Sequence, residues 1–241
     1  MPAWPAGVRG VFTTRAGGNS MPPYAELNLG THVGDDLRTV GANRDAVARA
    51  VGLAPERLVF MEQVHGRDVA LVDGPRDVPP VADALVTRTR GLALVVMVAD
   101  CVPVLLADPE AGVVAAAHAG RKGVELGVVG AAIDAMVDCG ARADRLTVWL
   151  GPSIGGCCYE VPEQMQREVV AVAPGATATG GRTRAGTPSL DLRAALAAEL
   201  TALGVPDVGL SGGCTNDDTD FFSYRRDQTT GRFAGLVWLE A

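Results

Sequence analysis

Two of the three histidines in this 241-residue chain lie in short glycine-flanked segments, Glu62-Gln63-Val64-His65-Gly66 and His118-Ala119-Gly120. Between them, after a long apolar run, comes Ala99-Asp100-Cys101-Val102-Pro103. Two imidazoles and a thiol are a three-donor set for a metal such as zinc or copper, with one position open for water or substrate. The same side chains are the parts of a Cys-His nucleophile pair. Residue types alone leave both readings open. The separations, 36 residues from His65 to Cys101 and 17 from Cys101 to His118, are too wide for a local zinc finger or a two-histidine helix motif. Any site they form is assembled by the fold.

Each of the three residues follows a stretch of strand character. Strand ends on a common sheet edge gather catalytic groups, because the scaffold fixes them while leaving them reachable. The strands required are residues 58–60 ahead of His65, 92–98 ahead of Cys101 and 113–117 leading into His118. The 92–98 run is continuously apolar, which predicts burial on both faces. Further strands are expected at 10–15, 68–72, 102–107, 146–150 and, after a loop at 221–227, 233–239, with Pro103 implying a bend or an unpaired edge. Helices are expected at 36–51, with Val40, Val47 and Ala48 inward, and at 191–203, with Leu192, Leu196 and Leu200 on one face. A third, at 121–139 and stopped by Gly140, starts directly behind His118, where free N–H groups and the helix dipole favour an anion. Hairpin-like turns mixed with helical crossovers predict an α/β fold, a single domain over residues 1–241 with mixed β-sheets flanked by helices. No dinucleotide fingerprint or phosphate-binding P-loop pattern is present.

Around the three donors, Arg15, Asn43, Arg44, Arg225 and Arg226 sit near loop or helix boundaries, and guanidinium forks suit phosphate or carboxylate. Gln63 and Asn28 are neutral donors and acceptors suited to a base or ribose edge. The candidate substrate and phosphate set is therefore Arg15, Asn28, Asn43, Gln63 and Arg225. His32, in a glycine-flanked loop, is as compatible with an ordinary loop histidine as with a substrate-facing one. Asp100 is expected to point to the face opposite Cys101 and so to be structural. Cys157 and Cys158 read as packing residues of a glycine-rich turn; Cys139 and Cys214 carry no signal.

Composition bounds the partners. A 48% hydrophobic chain with a formal charge of −7 can bury a full core and is poorly suited to a nucleic-acid backbone or an anionic membrane. The longest apolar run is interrupted by Asp100 and Pro103, and Met1-Pro2-Ala3-Trp4-Pro5 has neither the basic region nor the apolar stretch of a signal peptide. The expectation is a soluble, cytoplasmic monomer acting on a small molecule. Five cysteines, two of them adjacent, do not suggest a disulfide framework.

Taken in order, Thr13-Thr14-Arg15, Leu27-Asn28-Leu29-Gly30, His32-Val33-Gly34-Asp35-Asp36, Asn43-Arg44, Gln63-Val64-His65-Gly66, Ala99-Asp100-Cys101-Val102-Pro103 and His118-Ala119-Gly120 resemble one family. Gly151-Pro152, Cys158-Tyr159-Glu160-Val161 and Phe222-Ser223-Tyr224-Arg225-Arg226-Asp227 continue the likeness along nearly the whole chain. It is the family once labelled multicopper polyphenol oxidoreductase or laccase, also called peptidoglycan editing factor. The resemblance implies a fold similar to the cysteine-hydrolase-like fold of a bacterial deamidating toxin. It also implies a His65–Cys101–His118 site for zinc, or copper in some preparations. The implied activity is phosphorolysis of adenosine, inosine and methylthioadenosine, with adenosine deamination. The chain departs where the family usually has Trp-Arg-Gly after His-Ala-Gly: here it has Arg121-Lys122-Gly123, which removes an aromatic surface. Gly156 stands where proline is common.

For deamination, the corresponding chemistry is a zinc-activated water attacking the purine carbon that bears the amino group. For phosphorolysis, Arg15, Arg225 or the helix start after Gly120 is expected to hold the phosphate. Three alternatives remain, one of them a non-enzymatic metal-binding or interaction module, which leaves the arginine-bearing loops unexplained. Cys101 activated by His118 is suited to hydrolysing an amide of a peptidoglycan-type peptide. Copper-dependent phenol oxidation is the weaker of the two enzymatic ones, since a laccase needs several coppers and far more than three histidines.

Overall fold

Side chains alternate across a strand, and here the long strands spend both faces on apolar contacts. The computed structural model describes residues 4–241, so the N-terminal segment expected to lack a leader lies partly outside the described residues. Strands run Val8–Phe12 (β1), Leu58–Val59 (β2), Val69–Leu71 (β3), Ala84–Thr87 (β4) and Ala93–Val98 (β5). They continue with Val102–Asp108 (β6), Val113–Ala119 (β7), Thr147–Leu150 (β8), Asp207–Leu210 (β9) and Phe233–Leu239 (β10). Helices are Leu37–Ala50 (α1), Arg121–Leu126 (α2), Val128–Asp138 (α3), Glu163–Val172 (α4), Leu192–Ala202 (α5) and Tyr224–Asp227 (α6).

The strands form a four-stranded sheet of order β1-β10-β5-β2 and a six-stranded sheet of order β3-β4-β7-β6-β8-β9, both mixed. Along β5, Leu94, Val96 and Val98 face the second sheet, where they meet Leu105, Val114 and Ala116. Ala93, Val95 and Met97 turn the other way, onto Val47 and Ala48 of α1. Along β7, Val113, Ala115, Ala117 and Ala119 pack under α3 and α5. The result is helix, sheet, sheet, helix, with one apolar layer between each pair. The α/β class with mixed sheets flanked by helices is as the sequence predicts. Among the described residues no helix is long and apolar enough to cross a membrane.

Three expectations need correction. Pro103 does not mark an edge: β6 pairs with both β7 and β8 in the middle of its sheet. Its missing N–H falls beyond the last residue of β8, where only its carbonyl is used, accepting from Gly151 N at 2.9 Å. The helix expected at 121–139 is two helices, broken at Gly127, whose φ of 74° is left-handed and tolerated by glycine. The loop expected at 221–227 contains the single turn α6, capped by Ser223.

Asp108, at the end of β6, ties this sheet to the loop before β8. Its fully buried carboxylate accepts from Glu110 N, Ala111 N, Arg142 N and the Arg145 guanidinium at 2.9–3.1 Å. Burial pushes the carboxyl up, but the donors from Ala111, Arg142 and Arg145 outweigh it and hold it below the ordinary range. A depressed folded pKa contributes stability above the unfolded pKa and loses it as pH falls through the folded one. Asp108→Asn is expected to cost about 3 kcal/mol at neutral pH, since it leaves Arg145 without its buried partner. Denaturant unfolding at about pH 7 and about pH 3 should show that penalty shrinking in acid; a pH-independent penalty refutes the assignment.

Candidate active site at the seam between the two sheets

Period-2 alternation along β7 places Val114, Ala116 and then His118 on the face turned toward the other sheet. His118 is almost fully buried there. Cys101 lies in the 99–101 bend where the chain leaves β5 for β6 in the other sheet, and His65 in the loop after β2. The fold thus brings the three donors to one seam. Their ligating atoms lie within 4.8 Å of one another, with His65 Nε2 4.0 Å from Cys101 Sγ and the imidazoles edge to face at 4.7 Å.

The sequence reading missed Asp83. Fully buried just ahead of β4, its carboxylate accepts from Val64 N (3.2 Å), His65 N (3.0 Å) and Gly66 N (2.6 Å). It also accepts from His118 Nδ1 at 2.8 Å. One side chain therefore folds the His65 loop and fixes the His118 ring, leaving Nε2 of His118 for the third partner. The backbone hold explains how His65 keeps a φ of 60°, a conformation costing a non-glycine residue roughly 1 kcal/mol. The signal was there: a lone carboxylate inside Val81-Ala82-Asp83-Ala84-Leu85, an apolar run that has no use for an unpaired charge.

Burial pushes the Cys101 thiol up, but His118 and His65 outweigh it and bring it well below the ordinary thiol range. Burial likewise opposes the His118 imidazolium, which Cys101 and Asp83 stabilise above the ordinary value. These opposed shifts favour a Cys101 thiolate beside a His118 imidazolium backed by the Asp83 carboxylate. A sulfur and two nitrogens from three chain segments, one nitrogen held by a buried carboxylate, fit a zinc ion with an open position. Gly120 packs against this cluster: a Cβ there would lie 2.9 Å from His65 Cδ2 and 3.0 Å from Cys101 Sγ.

The cluster opens onto a cavity of about 800 Å³, a size suited to a small organic ligand. Phe60, Tyr159 and Tyr224 supply aromatic faces, and Arg44, Arg121, Arg225 and Arg232 supply positive charge. Arg121 is paired with Glu125 at 2.8 Å. Arg225 reaches Glu160 O at 3.0 Å and lies over Tyr159. Arg44 stacks on Phe60 at 3.8 Å and donates to Leu29 O. Arg232 donates to Thr230 O and Gly231 O. Among the described residues neither Arg44 nor Arg232 meets a carboxylate, and burial lowers the pKa of both. His32 lines the same wall, its pKa lowered by burial and by these two arginines.

The substrate set read from the sequence divides. Gln63 and Arg225 line the cavity, but the Gln63 amide is spent on Met97, donating to its carbonyl and accepting from its N–H at 2.7 and 2.9 Å. Arg15, Asn28 and Asn43 do not line it. Arg15 donates to Ala25 O and stacks on Phe222. Asn28 bonds Gly30, Asp35 and Arg232 N. Asn43 bonds Asn19 N, Ser20, Glu26 O and Asn28 O. Loop backbone without a ladder needs such partners, and these side chains fill that need. At the helix start expected to favour an anion, α2 has only six residues, and Gly120 packs closely against His65 and Cys101. Asp100, expected on the strand face opposite Cys101, lies instead in the bend and lines the cavity; its carboxylate accepts from Thr215 Oγ1 (2.6 Å), Ser223 Oγ (2.7 Å) and Arg225 N (2.6 Å).

Comparison with known proteins adds to this geometry. A family model described as multi-copper polyphenol oxidoreductase laccase matches residues 9–240. A Streptomyces griseus protein named purine nucleoside phosphorylase is 56% identical over 232 residues, 95% of this chain and 93% of that one. A Corynebacterium glutamicum protein of the same name is 52% identical, covering 96% and 94%. The crystal structure of a Neisseria meningitidis protein superposes with a TM-score of 0.89 at 39% identity, covering 99% and 98%.

Proposed function

Because the chain belongs to the multi-copper polyphenol oxidoreductase laccase family, and its relatives carry the name purine nucleoside phosphorylase, we propose that it cleaves purine nucleosides with phosphate. The substrates are adenosine, inosine and methylthioadenosine, and adenosine deamination is a second activity at the same site. The observation that carries this reading is the pair of half-buried guanidiniums, Arg44 and Arg232, without carboxylate partners, in the cavity that holds His65, Cys101 and His118. Buried cations left uncompensated are suited to an anionic ligand.

In this reading Arg44 and Arg232 hold phosphate, with Arg225 at the same cavity wall. Phe60, Tyr159 and Tyr224 offer faces to the base. A phosphate oxygen bonds to the ribose anomeric carbon as the C–N bond breaks, and the electron pair leaves with the base. In deamination a water oxygen replaces the amino group, which leaves as ammonia. His65, Cys101 and His118 would hold a zinc ion, and Asp83 keeps the His118 proton on Nδ1. When bound, zinc would supply Lewis acidity.

A second reading rests on the line Cys101, His118, Asp83, the order of a thiol hydrolase. It has no use for His65 or for Arg44 and Arg232. Incubation with adenosine, with and without phosphate, separates the two. Adenine is expected only with phosphate and inosine without it, both lost on chelation, restored by zinc and reduced ~100-fold or more in Cys101→Ala. No turnover with zinc bound refutes the nucleoside reading. Amidase activity that resists chelators and yields to alkylation supports the thiolate.

A further inference from the structure

A second group of soft ligands lies outside the cavity. Cys157 and Cys158, in the turn after β8, meet Cys214 and Asp217, in the loop after β9, and the four ligand atoms lie within 4.8 Å of one another. We propose that Cys157, Cys158, Cys214 and Asp217 form a second metal site, for zinc, that staples these two loops together.

The donor set is three sulfurs and one oxygen. Sulfurs at about 2.3 Å from a tetrahedral zinc lie about 3.8 Å apart; here Cys157 and Cys158 are 3.2 Å apart and the Asp217 carboxylate is 3.8 and 3.4 Å from them. Small shifts of side chains complete the shell. The backbone is already set. Cys158 N and Tyr159 N donate to Gly155 O, and Asp217 N and Asp218 N to Cys214 O, at 2.9–3.0 Å. Gly155 N donates to Cys214 Sγ at 3.3 Å, a bond that strengthens as the sulfur becomes a thiolate.

Charge points the same way. Three sulfurs, anionic when they act as ligands, and a carboxylate meet Arg184, whose guanidinium takes both Asp217 oxygens and reaches Cys158 Sγ at 3.7 Å. A dication brings the cluster close to neutral. A cleft of about 410 Å³, lined by Cys157, Cys214 and Arg184 among others, gives it a path from solvent.

The staple bears on the active cavity through the next residue of each loop. Tyr159 follows Cys158 and forms cavity wall; Thr215 follows Cys214 and holds Asp100, the neighbour of Cys101.

The test is metal stoichiometry on the full chain, followed with cobalt(II) as a spectroscopic probe for zinc. A double variant, His65→Ala with Cys101→Ala, should keep one tightly held zinc and a strong thiolate-to-cobalt band. Cys158→Ser with Cys214→Ser in the native background should lose that band and one zinc per chain, with circular dichroism confirming the fold. Asp217→Asn, a milder change, should weaken binding at least ~10-fold. A thiolate-to-cobalt band that vanishes with Cys101 alone overturns the proposal, as does zinc content unaffected by the serine variant. Neither result depends on turnover, so the nucleoside reading stands or falls separately.

Discussion

Asp83→Asn is expected to lower zinc affinity and kcat/KM for nucleoside cleavage by ~10–100-fold, with little loss of fold. The amide keeps one oxygen for backbone donors but presents N–H where His118 Nδ1 donates, so the imidazole loses its orientation. Asp83→Ala goes further. It deprives three backbone N–H groups of their buried acceptor, at up to ~1–3 kcal/mol each, and should unfold the His65 loop. Equilibrium dialysis against zinc and denaturant melts distinguish the two variants. If the asparagine variant binds zinc as the native chain does, Asp83 is structural only.

Asp100→Ala is the second large effect. Asp100 sits at φ 88° and is held there by short bonds to Thr215, Ser223 and Arg225. Alanine keeps the left-handed cost and removes the three carboxylate bonds that offset it. The expected loss is ~3–5 kcal/mol, from three donors left without their acceptor at ~1–3 kcal/mol each, together with a raised KM, because Arg225 and Tyr224 are cavity residues anchored through α6. Asparagine tolerates the backbone and keeps one acceptor, so Asp100→Asn should recover most of the stability. Equal stability of the alanine and native chains defeats the argument.

These two carboxylates mark the boundary of what the sequence made legible. His65, Cys101 and His118 stood out because imidazoles are scarce and each ends a stretch with strand character. Asp83 and Asp100 act through backbone N–H groups and hydroxyls whose positions depend on strand pairing between distant segments. The arginines show the same limit. Arg15 and Arg44 are equally loop-proximal in sequence, yet one braces Ala25 and the other faces the cavity, and only packing decides. Asn28 and Asn43 misled because loops rich in polar side chains spend them internally. Cys214 carried no signal because its partners arrive from another loop. Pro103 and Gly127 erred in the other direction: a proline at the last rung of a central strand costs little, and one glycine suffices to split a helix whose two halves both pack.

The seam has a consequence for biosynthesis. β5, which leads into Cys101, is paired on one side by β10, the last strand of the chain, and on the other only by the two-residue β2. All three donors leave the ribosome more than a hundred residues before that strand does. Until it arrives, β5 and the bend that carries Cys101 lack their long pairing partner, so the cluster is expected to assemble only after β10 has been made.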